Sequence, residues 1–241
     1  MDNPYKEFLE ITFPLLEKFR EITPSSFKHC SAVEGICAAV GSEIDDLTSE
    51  ALRCAARFHD VGKMFNPHYF IENQDGTNNP HDELDPLMSY QIITRHVSDS
   101  VLVLVQYDFP KDVIDIVSQH HGNTIVQFFF QKSGLANEEA YRYKCRPPAT
   151  TEAAILMIVD AVEATARSVY QKGLMDTPES RKQVVTDTIE RLSEDSQLDH
   201  LKLGVLKIIK RVITRELDAL FHKRIPYPED ESSESKAKKK K

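Results

Sequence analysis

The sequence contains no C-x-x-C pair: Cys30, Cys37, Cys54 and Cys145 are scattered, three of them in apolar stretches. Such cysteines read as buried free thiols of a reducing compartment rather than a disulfide framework. Also missing are a signal peptide and any apolar run of ~18 residues, so no segment of this chain is expected to span or contact a membrane. Basic excess is absent too. The formal charge is −8, and because five of the last six residues are lysine, the remainder carries about −13. Binders of polymeric nucleic acid normally present a basic face, so no such partner is expected. A small anionic ligand stays open, since bound divalent cations would invert the local field. Strand-like alternation is nearly missing: Val101–Val105 is too isolated to build a sheet, and no internal repeat is visible.

What is present is helical periodicity in a chain with 41% apolar and 28% charged residues, ordinary values for a globular protein. The fold class expected is all-α, a helical bundle. Phe8, Leu9, Phe13, Leu16 and Phe19 give an N-terminal helix within residues 1–22. The main domain then covers 23–224, and the charged tail 225–241 is expected to be disordered. Helices are predicted from Pro24 to about Val40, Leu47 to His59, Pro86 to about Val97, and Pro110 to His121. Further helices follow over 151–170, from Thr177 to Leu192, and through the Leu203–Leu220 spacing. Residues 66–85, rich in Asn, Pro, Gly and Asp, form a long loop of the kind that often serves a site, and 123–149 is partly loop.

The chemistry-bearing residues fall on the predicted inner faces. Phe58-His59-Asp60-Val61-Gly62-Lys63 puts an imidazole and a carboxylate side by side at a helix end, with a lysine beyond the stop to meet a phosphate oxygen. A carboxylate has two oxygens and can bridge two cations, while an imidazole offers one directional nitrogen. His120-His121-Gly122 closes another apolar helix. Asp160 interrupts Ala153–Val162, a run that reads as buried on every side; an unpaired carboxylate there would cost several kcal/mol. Arg167 is a possible partner for it, and a metal a better one. His29 and His96 each lie beside apolar residues of their own helices. Taken singly, such histidines are usually satisfied core residues, but helix packing does not call for inward ionisable groups on five helices. A shared metal centre does.

The ordered set His29, His59-Asp60, His96, His120-His121, Asp160, with Lys63 in H-D-x-G-K, resembles the HD-domain metallohydrolases. Phe70–Gln74, Asn79-Pro80-His81-Asp82, Ile92–Val97, His120–Thr124 and Val159–Ala164 are closer still to one branch. That branch is the cytoplasmic HD domain of the seven-transmembrane HD proteins, bacterial cyclic-di-AMP phosphodiesterases. The resemblance runs from about Pro14 to Phe221. It implies an HD bundle with a central two-metal site holding manganese or iron, and a cyclic dinucleotide substrate, cyclic-di-AMP, opened to linear pApA in the cytoplasm. His29, His59, Asp60 and Asp160 would hold one metal. Asp60 would bridge to a second, on His96, His120 and His121. A hydroxide bridging the metals would attack phosphorus, with Asp60 and Lys63 as catalytic residues. His81, Arg142 and Tyr143 are further candidates for substrate contact alongside Lys63, whereas His68, His200 and His222 read as structural or solvated. Two departures stand out. Lys28 replaces the first histidine of the family's His-His pair, and the family's membrane portion would lie outside this chain. The H-H-E and G-Y-P motifs of the cyclic-di-GMP-cleaving cousins are missing. Other readings of the same scaffold are a phosphohydrolase of other nucleotides, a di-iron oxygenase and a dinucleotide-binding sensor without turnover.

Overall fold

Prolines and capping side chains set most helix starts in the computed structural model, which describes residues 3–222 except 46, 75, 77 and 176. The tail expected over 225–241 and the side chain of His222 lie outside the described residues. The helices are α1 (Pro14–Ile22), α2 (Pro24–Gly41), α3 (Ser49–Phe58), α4 (Pro86–Gln106), α5 (Lys111–Val117), α6 (Gln127–Ser133), α7 (Thr151–Gln171), α8 (Pro178–Glu194) and α9 (Leu203–His222). Among the described residues there is no strand, only an isolated bridge between Ile125 and Arg142. The fold is all-α, as expected.

Local rules explain the starts. Asp85 accepts from the Leu87 amide at 2.8 Å, with Pro86 at the first helical position of α4. Thr150 caps α7, and Thr177 with Ser180 closes a reciprocal capping box on α8.

Three expected boundaries are corrected. The N-terminal helix expected within residues 1–22 is broken in two: Pro14 cannot donate to a preceding turn, Phe13 before it is extended, and Glu7–Leu9 form a separate 3-10 turn. The helix expected to stop near Val97 runs on to Gln106. Ser98-Asp99-Ser100 looks like a break in sequence, but Ser98 bonds back to Arg95 O, Asp99 pairs with Arg95, and Ser100 Oγ accepts from the Gly62 amide. The helix expected to include His121 stops at Val117, so the histidine pair sits in the turn that follows. The long 66–85 loop carries three short 3-10 turns, at Pro67–Tyr69, Ile71–Asn73 and Pro80–Asp82.

The core is one large cluster built where α2, α3 and α7 meet, with α5, α8 and α9 packed around it. Every residue of α7 from Ala153 to Asp160 is buried. Full burial of side chains such as Leu156 and Ile158 contributes about 1.5–3 kcal/mol each. Phe8, Phe13, Phe58 and Phe109 pack as edge-on and tilted rings that fasten the N-terminal segment to the end of α3. No helix among the described residues is long and apolar enough to cross a membrane.

Gly62 follows α3 in a 3-10 turn, Val61–Phe65, that lies directly on α4. A Cβ at Gly62 would collide with the His96 carbonyl and the Ser100 amide, so backbone rests on backbone there. This contact seats the His59-Asp60 step against the α4 turn that carries His96.

Candidate metal centre

Five elements deliver ionisable side chains to one point in the core. His29 comes from α2, His59 caps α3 with Asp60 next to it, His96 lies inside α4, His120 and His121 follow α5, and Asp160 lies inside α7. All except His121 are buried, and His121 keeps 25% of its side chain exposed. Because α5 has ended, His120 and His121 are not splayed by 100° as helix neighbours would be. Their rings lie 4.1 Å apart and reach the same place.

The ring orientations are fixed by main-chain carbonyls three residues back. Nδ1 of His59 faces Ala56 O at 2.9 Å, that of His96 faces Ile93 O at 2.6 Å, and that of His120 faces Val117 O at 2.6 Å. A carbonyl can only accept, so each Nδ1 carries a proton and each ring turns its Nε2 inward. His96 Nε2 and His120 Nε2 then stand 3.3 Å apart, lone pair toward lone pair. That arrangement repels unless a cation lies between the nitrogens. His29 differs: its Nδ1 donates to Glu163 at 2.6 Å and its Nε2 lies 2.9 Å from Asp160.

Asp60 stands between two groups of nitrogens. Its Oδ2 lies 3.7 Å from His29 Nε2 and 3.5 Å from His59 Nε2, while its Oδ1 lies 3.3 Å from His96 Nε2 and 4.0 Å from His120 Nε2. Three sets of donor atoms lie within coordinating reach, His29–His59–Asp160, His96–His120–His121 and Cys30–His59–Asp60, the last sharing His59 with the first. Buried His59 Nε2 and Asp60 Oδ1 have no hydrogen-bond partner, although an orphaned buried polar atom costs about 1–3 kcal/mol. Imidazole and carboxylate donors with unmet valence suit divalent transition metals. The residues therefore fit the cations that the sequence implies. Cys30 Sγ lies 3.6 Å from His59 Nδ1 and was not singled out by sequence.

The electrostatics divide the same way. Burial lowers the pKa of His96, His120 and His121, keeping these imidazoles neutral and able to coordinate. At His29 burial acts downward as well, but the hydrogen bonds to Asp160 and Glu163 outweigh it and raise the ring to about 9. Burial would raise Asp60 and Asp160, yet both are held well below the usual carboxylate range, Asp60 chiefly by Lys63 and the surrounding histidines, Asp160 by His29 and His59.

Lys63 bridges Asp60 Oδ2 and Glu72 Oε1, each at 2.7 Å. Glu72 also takes a hydrogen bond from Ser26, which ties the Ile71–Asn73 turn to α2. Lys63 thus lies at the mouth of a cleft of about 330 Å³, with Phe70, Ile71 and Ile93 on one wall and Arg167, Ser168 and Gln171 on the other. Tyr143 reaches this cleft, its ring stacked on His121 at 4.4 Å. His81 and Arg142, the other two sequence candidates for substrate contact, do not. His81 is buried, with Nε2 on Tyr69 O at 2.9 Å and its ring against Phe129, so it closes the long loop. The Arg142 guanidinium is spent on Asp195, Glu138 and Asn123 O. Arg167, considered above as a partner of Asp160, instead pairs with Glu163 at 3.3 Å. His200 bonds Thr150 O, away from the centre.

Sequence reasoning missed Glu163 and Glu72. Glu163 had a signal: it follows Asp160 by three residues at the end of the apolar run, hence on the same helix face. Glu72 had none, because its role depends on where the loop folds.

Comparison with known proteins gives a consistent result. The HD domain profile matches residues 26–165. The chain is 37% identical over 226 residues to the cyclic-di-AMP phosphodiesterase PgpH of Bacillus subtilis, across 90% of this chain and 30% of that protein. It is 34% identical over 227 residues to PgpH of Listeria monocytogenes, again across 90% and 30%. It therefore spans about a third of the length of these two relatives. The crystal structure of the L. monocytogenes PgpH HD domain in complex with cyclic-di-AMP superposes with a TM-score of 0.80 at 33% identity, over 89% of this chain and 100% of that one.

Proposed function

The chain belongs to the HD domain family, and from that premise we propose that it is a metal-dependent phosphodiesterase that opens cyclic-di-AMP to linear pApA. The observation that carries this reading is the split geometry at Asp60, whose two oxygens face two separate groups of histidine nitrogens. His29, His59 and Asp160 with Asp60 Oδ2 would hold one cation, and His96, His120 and His121 with Asp60 Oδ1 a second. We propose manganese or iron, which suit imidazole and carboxylate donors. Bound there, divalent cations supply Lewis acidity toward a phosphodiester and lower the pKa of water.

The residues of the chain do the remainder. Burial of the site excludes bulk water and strengthens each interaction with a phosphodiester. Glu72 keeps the Lys63 ammonium at the cleft mouth, where its hydrogen bonds can pass from Asp60 to a non-bridging phosphoryl oxygen and offset charge building there. Tyr143 holds the His121 ring and presents its own edge to the cleft. The wall of Phe70, Ile71 and Ile93 offers an apolar surface to a nucleobase. A cytoplasmic setting accords with four free cysteines, three of them buried.

The test is turnover by protein loaded anaerobically with manganese or iron, assayed with cyclic-di-AMP, cyclic-di-GMP and a mononucleotide panel beside metal analysis. Production of pApA from cyclic-di-AMP, strongly preferred over the rest, is the expected result. Metal-loaded protein that binds the dinucleotide without turning it over, or consumes oxygen instead, would overturn the proposal.

A further inference from the structure

The metal centre opens on two sides. Besides the cleft beside Lys63, a second cavity of about 270 Å³ lies behind the α7 ridge. His121, Tyr143, Asp160 and Ala164 line both. Ala164 is exposed and forms the saddle between them. The second cavity reaches His120 and Met157, has Ile125, Val126 and Leu192 as apolar lining, and carries Arg191 from the last turn of α8.

Arg191 is the cation to notice. Its guanidinium is exposed, and no ion pair or hydrogen bond engages it among the described residues. Its neighbours are committed: Arg142 is tied to Asp195 and Glu138. Thr124 and Thr165, also in this cavity, donate their hydroxyl protons to His121 O and Ala161 O, so neither has a proton left for a ligand. The free cation here is an arginine fork, whose geometry matches two phosphate oxygens. Either cavity alone is at or below the small end of ligand pockets, about 300–1,000 Å³, whereas a cyclic dinucleotide carries two phosphates and two bases.

We infer that the cavity behind the α7 ridge is a second substrate subsite, in which Arg191 binds the phosphate that is not being cleaved while the other phosphate lies at the metal centre. The inference rests on the phosphodiesterase reading above. It makes Arg191 a specificity determinant: it distinguishes substrates with two phosphates from those with one.

The test compares wild type with Arg191→Ala and Arg191→Lys, all metal-loaded and verified by metal content and circular dichroism. Turnover of cyclic-di-AMP is measured against bis(p-nitrophenyl) phosphate, a small diester with one phosphate. The expected result is a fall of at least about tenfold in the ratio of kcat/KM for the dinucleotide over the small diester in Arg191→Ala, carried by KM, with partial recovery in Arg191→Lys. Calorimetric binding of cyclic-di-AMP should weaken by a similar factor. Unchanged ratio and affinity, within about twofold, would overturn the subsite and leave the phosphodiesterase reading standing. Wild-type protein that cleaves the small diester but neither binds nor cleaves the dinucleotide would overturn both.

Discussion

Replacing Glu163 by glutamine isolates how one proposed metal ligand, His29, is held. Glu163 is 3% exposed and accepts from His29 Nδ1 at 2.6 Å, while Arg167 pairs with the same carboxylate oxygen at 3.3 Å. Its carboxylate fixes the His29 tautomer and raises the basicity of the nitrogen that faces the metal position. Glutamine has nearly the same shape but no charge, and an amide can turn its NH2 toward the ring, which favours the wrong tautomer. Loss of an outer-shell partner of this kind typically costs 10–100-fold in metal affinity, about 1.4–2.7 kcal/mol. On the proposed two-cation reading, the effect should fall on the cation that His29, His59 and Asp160 would hold and spare the one that His96, His120 and His121 would hold. Competition titration against a chromophoric chelator should therefore resolve one weakened and one unaltered binding event. Metal-free Glu163→Gln should melt below metal-free wild type but still fold cooperatively, because the variant keeps the side-chain volume and loses a buried charge partner of His29 and Arg167. The reasoning fails if both sites keep wild-type affinity, or if both weaken equally in a protein that is properly folded.

Other predictions follow from the same geometry. Saturation with cation at about 100 times Kd should stabilise the fold by about 2.7 kcal/mol, seen as a chelator-reversible rise in Tm; a Tm indifferent to metal would contradict the proposed centre. Gly62→Ala forces a methyl group into the α4 backbone and should cost about 3 kcal/mol, near the top of the overpacking range, lowering Tm by roughly 6–12 °C; a wild-type melting curve would show that the contact can relax. Thr177→Ala removes half of the α8 capping box and should cost about 0.5–2 kcal/mol in a denaturant titration, without altering metal content. With a thiol reagent near pH 8, Cys145, which is only partly buried, should react first. Cys37 and Cys54 should wait for unfolding, because burial raises the first well above its usual value and the second to about 12. Fast labelling of all four would refute the packing of α2 on α3.

The sequence made the centre legible because inward ionisable groups are costly, and their recurrence on otherwise apolar faces has few explanations. Asp160 is the clearest case: a carboxylate inside Ala153–Val162 demands a partner wherever the helix packs. Residues whose environment depends on tertiary pairing were not legible. Ser98-Asp99-Ser100 reads as a helix end, and only the approach of Gly62 reveals why Ser100 can stay inside α4. His81 and Arg142 looked available for a ligand by residue type, yet His81 is consumed by Tyr69 O within its own loop and Arg142 by Asp195 from a distant part of the chain. Arg191 carries no signal in the sequence, and its interest comes from the cavity beside it.

The bare approach of Gly62 to α4 also governs what variation can do to this protein. With no side chain interposed between the two stretches of main chain, the separation of Asp60 from His96 acts as a fixed gauge. Drift in the neighbouring apolar residues can retune either half of the centre but cannot widen or narrow the gap between the halves. Relatives that keep glycine here should share one Asp60–His96 separation however far their cores diverge, and a lineage that lost it would have to bend the helix itself to accommodate the change.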